Sequence, residues 1–325
     1  MAGVSISTIS RVINKSAYVS PEIKERIEKI LSETGYRPNS LAKELLRNKT
    51  DTIGVMLPRI DLGTFAAMFE GIVTVLNANG YNVLLANTHD QVDEELRYLD
   101  FFHEKRVDGV LFFATGNNPQ YAEAISKLRM PVVIVWQSGS EFGCPSVRLD
   151  NFEAARAMVN YLISLGHRRI GCLAVPDHDV NIGILRKEGY FAALADNGID
   201  PDPSLVVTGD FEYPSGERGA QALMDHCGGR PTAIYCITDR LAVSVSGWLQ
   251  RQGLRVPKDV SVACLDDPGL LSYCYPSITT MSFDYQMTGV HAGQMIIDCI
   301  DGKALESSEI VMPFTMQVRE STHSI

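Results

Sequence analysis

No apolar run in this 325-residue chain approaches the ~20 residues that a bilayer-crossing helix needs, so no membrane partner is expected. The first residues show none of the charged, apolar and small-residue regions of a secretory signal, which predicts a cytoplasmic protein. Low-complexity and collagen-like bias are missing too. With 45% hydrophobic and 21% charged residues, the composition is that of a soluble globular protein. The seven cysteines (Cys144, Cys172, Cys227, Cys236, Cys264, Cys274 and Cys299) are odd in number and contain no C-x-x-C pair. Buried free thiols are therefore expected in place of a disulfide framework or a thiolate metal site. Also absent are the G-x-S-x-G elbow, the G-x-x-x-x-G-K-[ST] loop, the G-x-G-x-x-G fingerprint and the H-E-x-x-H pair. Nothing marks an enzyme, and no catalytic residue, cofactor or metal is expected. Asp177-His178-Asp179 could suggest a metal, but the run directly follows an apolar segment and reads as a loop at a strand end.

What the chain does have is a charge asymmetry. The net charge is −10, which on its face disfavours nucleic acid. Residues 1–50, however, hold nine Lys/Arg against five Glu, a balance of +4 that leaves −14 for the remainder. A basic head on an acidic body suits phosphate contacts made by the head alone.

From Thr52 onward short apolar runs alternate with amphipathic stretches. Strands are predicted at 53–57, 82–86, 109–113, 132–136, 170–175, 205–208, 233–237 and 261–265. All are short, β-branched and continuously apolar, as parallel strands covered on both faces are. Helical patterns at 65–79, 94–105, 152–165 and 215–226 lie between them, with Gly80, Gly166 and Gly253 placed as stops. The spacing of about 30 residues matches a βα unit, and two sets of four such units predict two doubly wound α/β lobes. Ligands then belong at the strand carboxyl ends, in the crevice between the lobes. His167, just before a strand, reads as a packing or capping residue.

The first 50 residues read as helices at 7–14 and 21–34, the second capped by Ser20-Pro21 and stopped at Gly35, with a further short helix at 39–47. The stretch Ala2-Gly3-Val4-Ser5-Ile6-Ser7-Thr8-Ile9-Ser10-Arg11-Val12-Ile13-Asn14 closely resembles the turn and recognition helix of the LacI/GalR family of transcriptional regulators. Val19-Ser20-Pro21, Gly35-Tyr36-Arg37-Pro38-Asn39 and Leu41-Ala42-Lys43-Glu44-Leu45 are similar to that family's third helix and hinge helix. From residue 52 the resemblance runs to the end of the chain, through Arg106-Val107-Asp108-Gly109-Val110, Gly189-Tyr190 and Val256-Pro257-Lys258-Asp259-Val260-Ser261 among others.

The resemblance implies an all-α helix-turn-helix head (1–38), a hinge helix and linker (39–51) and a two-lobed, type I periplasmic-binding-protein-like effector domain (52–325). Family members carry about ten further residues before the position of Ala2, the first helix of the motif, so the expectation is a start site placed too late or an incomplete head. Ile9, Val12 and Ile13 would face the head's core, while Ser5, Ile6, Ser7, Thr8, Ser10, Arg11 and Asn14 would face double-stranded operator DNA. Arg11 can fork onto guanine, Ile6 can touch a thymine methyl, and Ser7 can reach base edges or phosphate. Leu45 matches the leucine the family wedges into the minor groove, with Lys43 on phosphate. Operator pseudo-palindromy would mirror a homodimer. No leucine heptads follow Arg319-Glu320-Ser321, which favours a dimer over a tetramer.

For the effector, Arg186 matches the family's anchoring arginine and Asp266 its acidic partner. Phe65, Trp136 and Phe211 match positions that surround the ligand, and Asp239 follows a strand where Thr238 replaces the usual Asn. The function implied is a small-molecule-controlled regulator, with repression the expected sign. A sugar or sugar phosphate is the first choice of effector and a purine or nucleoside the second; a solute-binding protein without DNA affinity is the reading from another class.

Overall fold

The computed structural model describes residues 3–14, 17–34, 49–225 and 229–325. They fall into two compact units, residues 1–50 and 51–325, taken in turn below.

In the first unit Ser5 opens helix α1 (Ile6–Asn14) by accepting the Thr8 amide on its hydroxyl at 3.2 Å. Val12 turns inward, as does Ile27 of α2 (Pro21–Thr34). Helix α2 starts at its proline, which lacks the amide that a first helical residue leaves unpaired. Arg11 and Ser7 are exposed. The short helix expected at 39–47, with Lys43 and Leu45, lies outside the described residues, as does Gly35.

The second unit is built on two six-stranded sheets. The amino-terminal lobe orders its strands β11-β5-β4-β3-β1-β2: β1 (Thr52–Leu57), β2 (Asn82–Asn87), β3 (Gly109–Phe113), β4 (Val132–Trp136), β5 (Ser146–Leu149) and β11 (Glu309–Met312). All of its pairs are parallel. The carboxyl-terminal lobe orders β12-β10-β9-β8-β6-β7: β6 (Ile170–Ala174), β7 (Val206–Thr208), β8 (Ala233–Cys236), β9 (Ser261–Leu265), β10 (Thr279–Phe283) and β12 (Phe314–Gln317). Only β12 runs antiparallel, against β10.

Helices α3 (Gly63–Ala78), α4 (Val92–Lys105), α5 (Pro119–Ser126), α6 (Asn151–Ser164), α7 (Arg186–Asp196), α8 (Tyr213–Met224), α9 (Asp239–Arg251) and α10 (Tyr285–Ile300) cover the sheets. Because both faces are covered, strands such as β3, β4, β6 and β9 are buried at every residue. Helix α10 follows a carboxyl-lobe strand but packs on α3 and on β3, β4 and β5. Its approach to α3 is backbone on backbone: a Cβ on Gly289 would lie 1.9 Å from the Met68 carbonyl oxygen, and one on Gly71 2.1 Å from that of Gln286.

The chain therefore crosses between lobes after β5, after β10 and between β11 and β12. The first two crossings are capped by aspartates: Asp150 accepts the Glu153 amide at 3.3 Å and Asp284 the Met287 amide at 2.9 Å. At the third, Pro313 alone separates two strands of different sheets. The eight strands expected from sequence are present; β5, β10, β11 and β12 are additional, so each lobe holds six strands where four βα units were expected.

Candidate functional site

The crevice opens at the carboxyl ends of the strands, where the two lobes face each other. Five of the six residues singled out for an effector line one space between the lobes: Phe65, Trp136, Phe211, Asp239 and Asp266. Leu62, Thr64, Ile182, Thr238 and Arg240 complete it. The lobes are closed on one another, and the free volume is about 20 Å³, room for a water molecule and far too little for a sugar ring.

Arg186, the sixth residue, stands behind that space as its floor. It is wholly buried, and its Nη1 and Nη2 donate to Asp266 Oδ2 and Oδ1 at 2.7 and 2.8 Å. Nε donates to Asn151 Oδ1 at 2.8 Å, and Nη1 also to the Ile237 carbonyl at 2.6 Å. The Tyr285 hydroxyl adds a third donor to Asp266, at 2.7 Å. Burial opposes the guanidinium charge, and the contact with Asp266 outweighs it, so the Arg186 pKa is raised. This fork fixes the plane of the Asp266 carboxylate at the base of the crevice.

Two lining residues hold backbone conformations that side-chain-bearing residues rarely adopt: Trp136, closing β4, has φ +87°, and Asp266, just past β9, has φ +73°. Such positions cost about 1–3 kcal/mol each and gather where surrounding structure holds a functional side chain in place. The Trp136 ring packs on Phe65 at 5.0 Å between centroids, and Phe65 meets Phe113 edge-on at 5.8 Å. Phe65 thus belongs both to the core and to the crevice wall.

Two polar groups in this wall lack the partners that buried groups normally have. Trp136 Nε1 and Thr238 Oγ1 are buried without a hydrogen bond. Thr238 is the N-cap residue of α9, yet its hydroxyl does not cap the helix. Next to it, burial and then the charge of Asp266 push the Asp239 carboxyl up to about 6.

Two clusters clasp the lobes on either side. On one, Arg59 Nη2 reaches Glu212 Oε1 at 2.6 Å and Asp61 Oδ2 at 3.1 Å, while Arg240 Nη2 reaches Asp61 Oδ2 at 2.9 Å. On the other, His178 Nε2 lies 2.9 Å from Asp90 Oδ2 and the Val180 amide donates to the Thr115 carbonyl at 2.9 Å. Asn181 Nδ2 adds a bond to Gln137 Oε1 at 3.4 Å. The run 177–179 divides its side chains three ways: Asp177 to Lys187, His178 to Asp90, and Asp179 to the Ile182 amide. Asp179 and Glu95 are buried, and burial raises both carboxyls to about 7. Sequence reasoning did not find Leu62, Ile182, Arg240, Tyr285 or the clasps. Thr238 carried a signal, a threonine in place of the usual Asn.

His167 is a buried structural bridge, linking Thr232 Oγ1 at 2.9 Å and the His323 carbonyl at 3.1 Å. The six described cysteines are free, with Cys172, Cys236 and Cys264 in the carboxyl-lobe core. Among the described residues no helix is long and apolar enough to cross a membrane.

In the head, Ser5, Ser7, Thr8 and Arg11 fall on α1 or its cap. The hydroxyls of Ser5, Ser7 and Thr8 form one cluster, at 2.7 and 2.9 Å from Ser5 Oγ. Ile6, Ser10 and Asn14 lie on the same helix.

The chain is similar to known proteins over its whole length. The description "Bacterial regulatory proteins, lacI family" matches residues 1–39, and "Periplasmic binding protein-like domain" matches residues 159–322. The HTH-type transcriptional repressor CytR of Escherichia coli K12 is 32% identical over 326 residues, covering 100% of this chain and 94% of that protein. The lac repressor dimer bound to operator and the anti-inducer ONPF superposes with a TM-score of 0.89 at 26% identity, over 99% of this chain and 97% of the other. The transcriptional regulator CelR in complex with cellobiose gives a TM-score of 0.76 at 29% identity, over 98% and 97%. A full-length relative above 30% identity, a matching head and a matching two-lobed body agree: the chain belongs to the LacI family and is a DNA-binding transcriptional regulator.

Proposed function

We propose that this regulator is a repressor that binds a pseudo-palindromic operator as a homodimer and is switched by a sugar or nucleoside held between its lobes. The head would span 1–38, the hinge 39–51 and the effector body 52–325. The observation that carries the effector reading is the pair of unpartnered buried groups, Trp136 Nε1 and Thr238 Oγ1, in a wall of aromatic rings between the two lobes. Polar groups without partners are costly to bury, and a ligand with hydroxyls or ring heteroatoms supplies what they lack. Rings such as Phe65 and Phe211 stack on a sugar face or on a base. The ligand would act by changing the lobe angle, because it contacts both sides of a joint crossed three times by the chain; it shifts the equilibrium only by its differential affinity for the two angles.

On the head, Arg11, Ser7, Thr8 and Ser5, with Ile6, Ser10 and Asn14, would meet the major groove, while Lys43 and Leu45 would act at the hinge. A dimer is supported by a carboxyl-lobe segment in which Tyr273 and Tyr275 are both 87% exposed and Leu270 is 47% exposed, an aromatic face of the kind interfaces use. The test is titration of the protein with its own promoter DNA, followed by sedimentation. Two-fold-symmetric protection of the DNA and a mass of two chains are expected. Monomeric protein that binds DNA only non-specifically would contradict the proposal.

A further inference from the structure

The charges around the crevice limit what can enter it. Each arginine near the space is already neutralised: Arg186 by the fork to Asp266, Arg240 by Asp61 at 2.9 Å and Glu212 at 3.7 Å, and Arg59 by the same two carboxylates. Asp239 lines the space with no ion pair among the described residues, so above the pH near 6 at which its carboxyl ionises the wall is one negative charge in excess.

The helix ends tell the same story. Helix α9 points its amino terminus at the crevice, where backbone amides and the helix dipole would attract an anion, but Asp239 sits in its first turn. Helix α3 brings Asp61 immediately before its N-cap, and Asp179 occupies the start of the turn at Val180–Leu185 that leads into α7. Asp239 and Asp179 thus place a carboxyl at two of these amino-terminal ends, and Asp61 places one a residue ahead of the third N-cap, where its oxygens are held by Arg59 and Arg240. The buried unpartnered donors in the wall are neutral, Trp136 Nε1 and Thr238 Oγ1.

We infer that the effector is uncharged, and that the crevice discriminates against phosphorylated or carboxylated forms of the same ligand, with Asp239 as the specificity-determining residue. This rests on the reading of the crevice as the effector site. A neutral polyol or nucleoside meets the wall on every side: an acceptor for the indole N–H, a hydroxyl or amine donor for Asp239, and a flat face for the rings. A phosphate would bring like charge beside the unpaired Asp239 in a closed site. At an effective dielectric near 20 that repulsion is worth on the order of 100-fold in affinity.

The experiment is isothermal titration of the full chain with matched pairs: uridine, cytidine and adenosine against their 5′-monophosphates, and ribose and glucose against ribose 5-phosphate and glucose 6-phosphate. The neutral member of any binding pair should bind on the order of 100-fold more tightly. Asp239→Asn should reduce the preference about tenfold, while Asp239→Glu, which keeps the charge, should retain it; thermal unfolding of both variants establishes that they fold. A phosphorylated member that binds as well as or better than its neutral partner would overturn the inference and leave the crevice reading standing. If no compound in either series binds, or if binding survives Phe211→Ala undiminished, the crevice reading itself fails and the inference falls with it.

Discussion

Arg186 and Asp266 meet fork to carboxylate, at 2.7 and 2.8 Å, with neither side chain more than 6% exposed. The pair joins the start of α7 to the end of β9 and sets the floor of the crevice. Removing one partner leaves the other charge buried and unpaired, which costs far more than the pair itself contributes. Asp266→Asn should therefore destabilise the protein by about 3–5 kcal/mol in urea denaturation, with a matching fall in ligand affinity. A variant as stable as the wild type would mean that Arg186 finds another partner.

The clasp of Arg59, Asp61, Glu212 and Arg240 is partly exposed, so each ion pair should add at most about 1 kcal/mol to stability. Its effect should appear in the lobe angle instead. Arg59→Ala combined with Arg240→Ala is expected to leave the melting temperature nearly unchanged while raising the radius of gyration measured by X-ray scattering. High salt should do the same to the wild type. An unchanged radius in both cases would show that the clasp does not hold the closed form.

Glu95 gives a pH dependence with a definite sign. Burial is the main reason that its carboxyl rises from 4.5 to about 7, the charge of Asp90 adding to it. A carboxyl that holds its proton more tightly when folded stabilises the protein fully below about 4.5 and loses that contribution as pH rises through about 7. Glu95→Gln should remove on the order of 3 kcal/mol of the stability lost between pH 5 and pH 8. Asp179, raised to about 7 by burial, leaves part of the slope in place. Parallel stability curves for variant and wild type in chemical denaturation would contradict this account.

In the head, Arg11 is exposed on α1, and Arg11→Ala should weaken binding to the operator by about 1–3 kcal/mol while relaxing the preference at one base position. Fluorescence anisotropy with operator variants measures both. A uniform loss across all sequences would assign Arg11 to phosphate.

Which elements could be read from sequence follows from how each is stabilised. Strands such as β4 and β9 sit in the middle of covered sheets, so every residue is apolar and the run announces itself. The strands that escaped are edge strands or carry polar side chains: β5 is Ser-Val-Arg-Leu, β10 begins with two threonines, and β11 and β12 are four residues each with partly exposed faces. Gly80, Gly166 and Gly253 were readable as stops because each takes a positive φ, of 78°, 99° and 78°, that other residues avoid. At the site, rings and acids at strand ends were legible through position and resemblance. The clasps were not, because their partners lie far apart in the chain, 153 residues for Arg59 and Glu212 and 179 for Arg240 and Asp61, and only the closed lobes bring them together.

The most direct test of the account is the affinity of the full-length protein for its promoter DNA, measured with and without each compound that binds the crevice. A crevice ligand is expected to change the DNA dissociation constant by 5-fold or more, as coupling energies of about 1–3 kcal/mol imply, and Phe211→Ala should abolish that change while leaving affinity without ligand intact. DNA affinity that stays the same while the crevice is saturated would contradict the claim that the crevice controls the head.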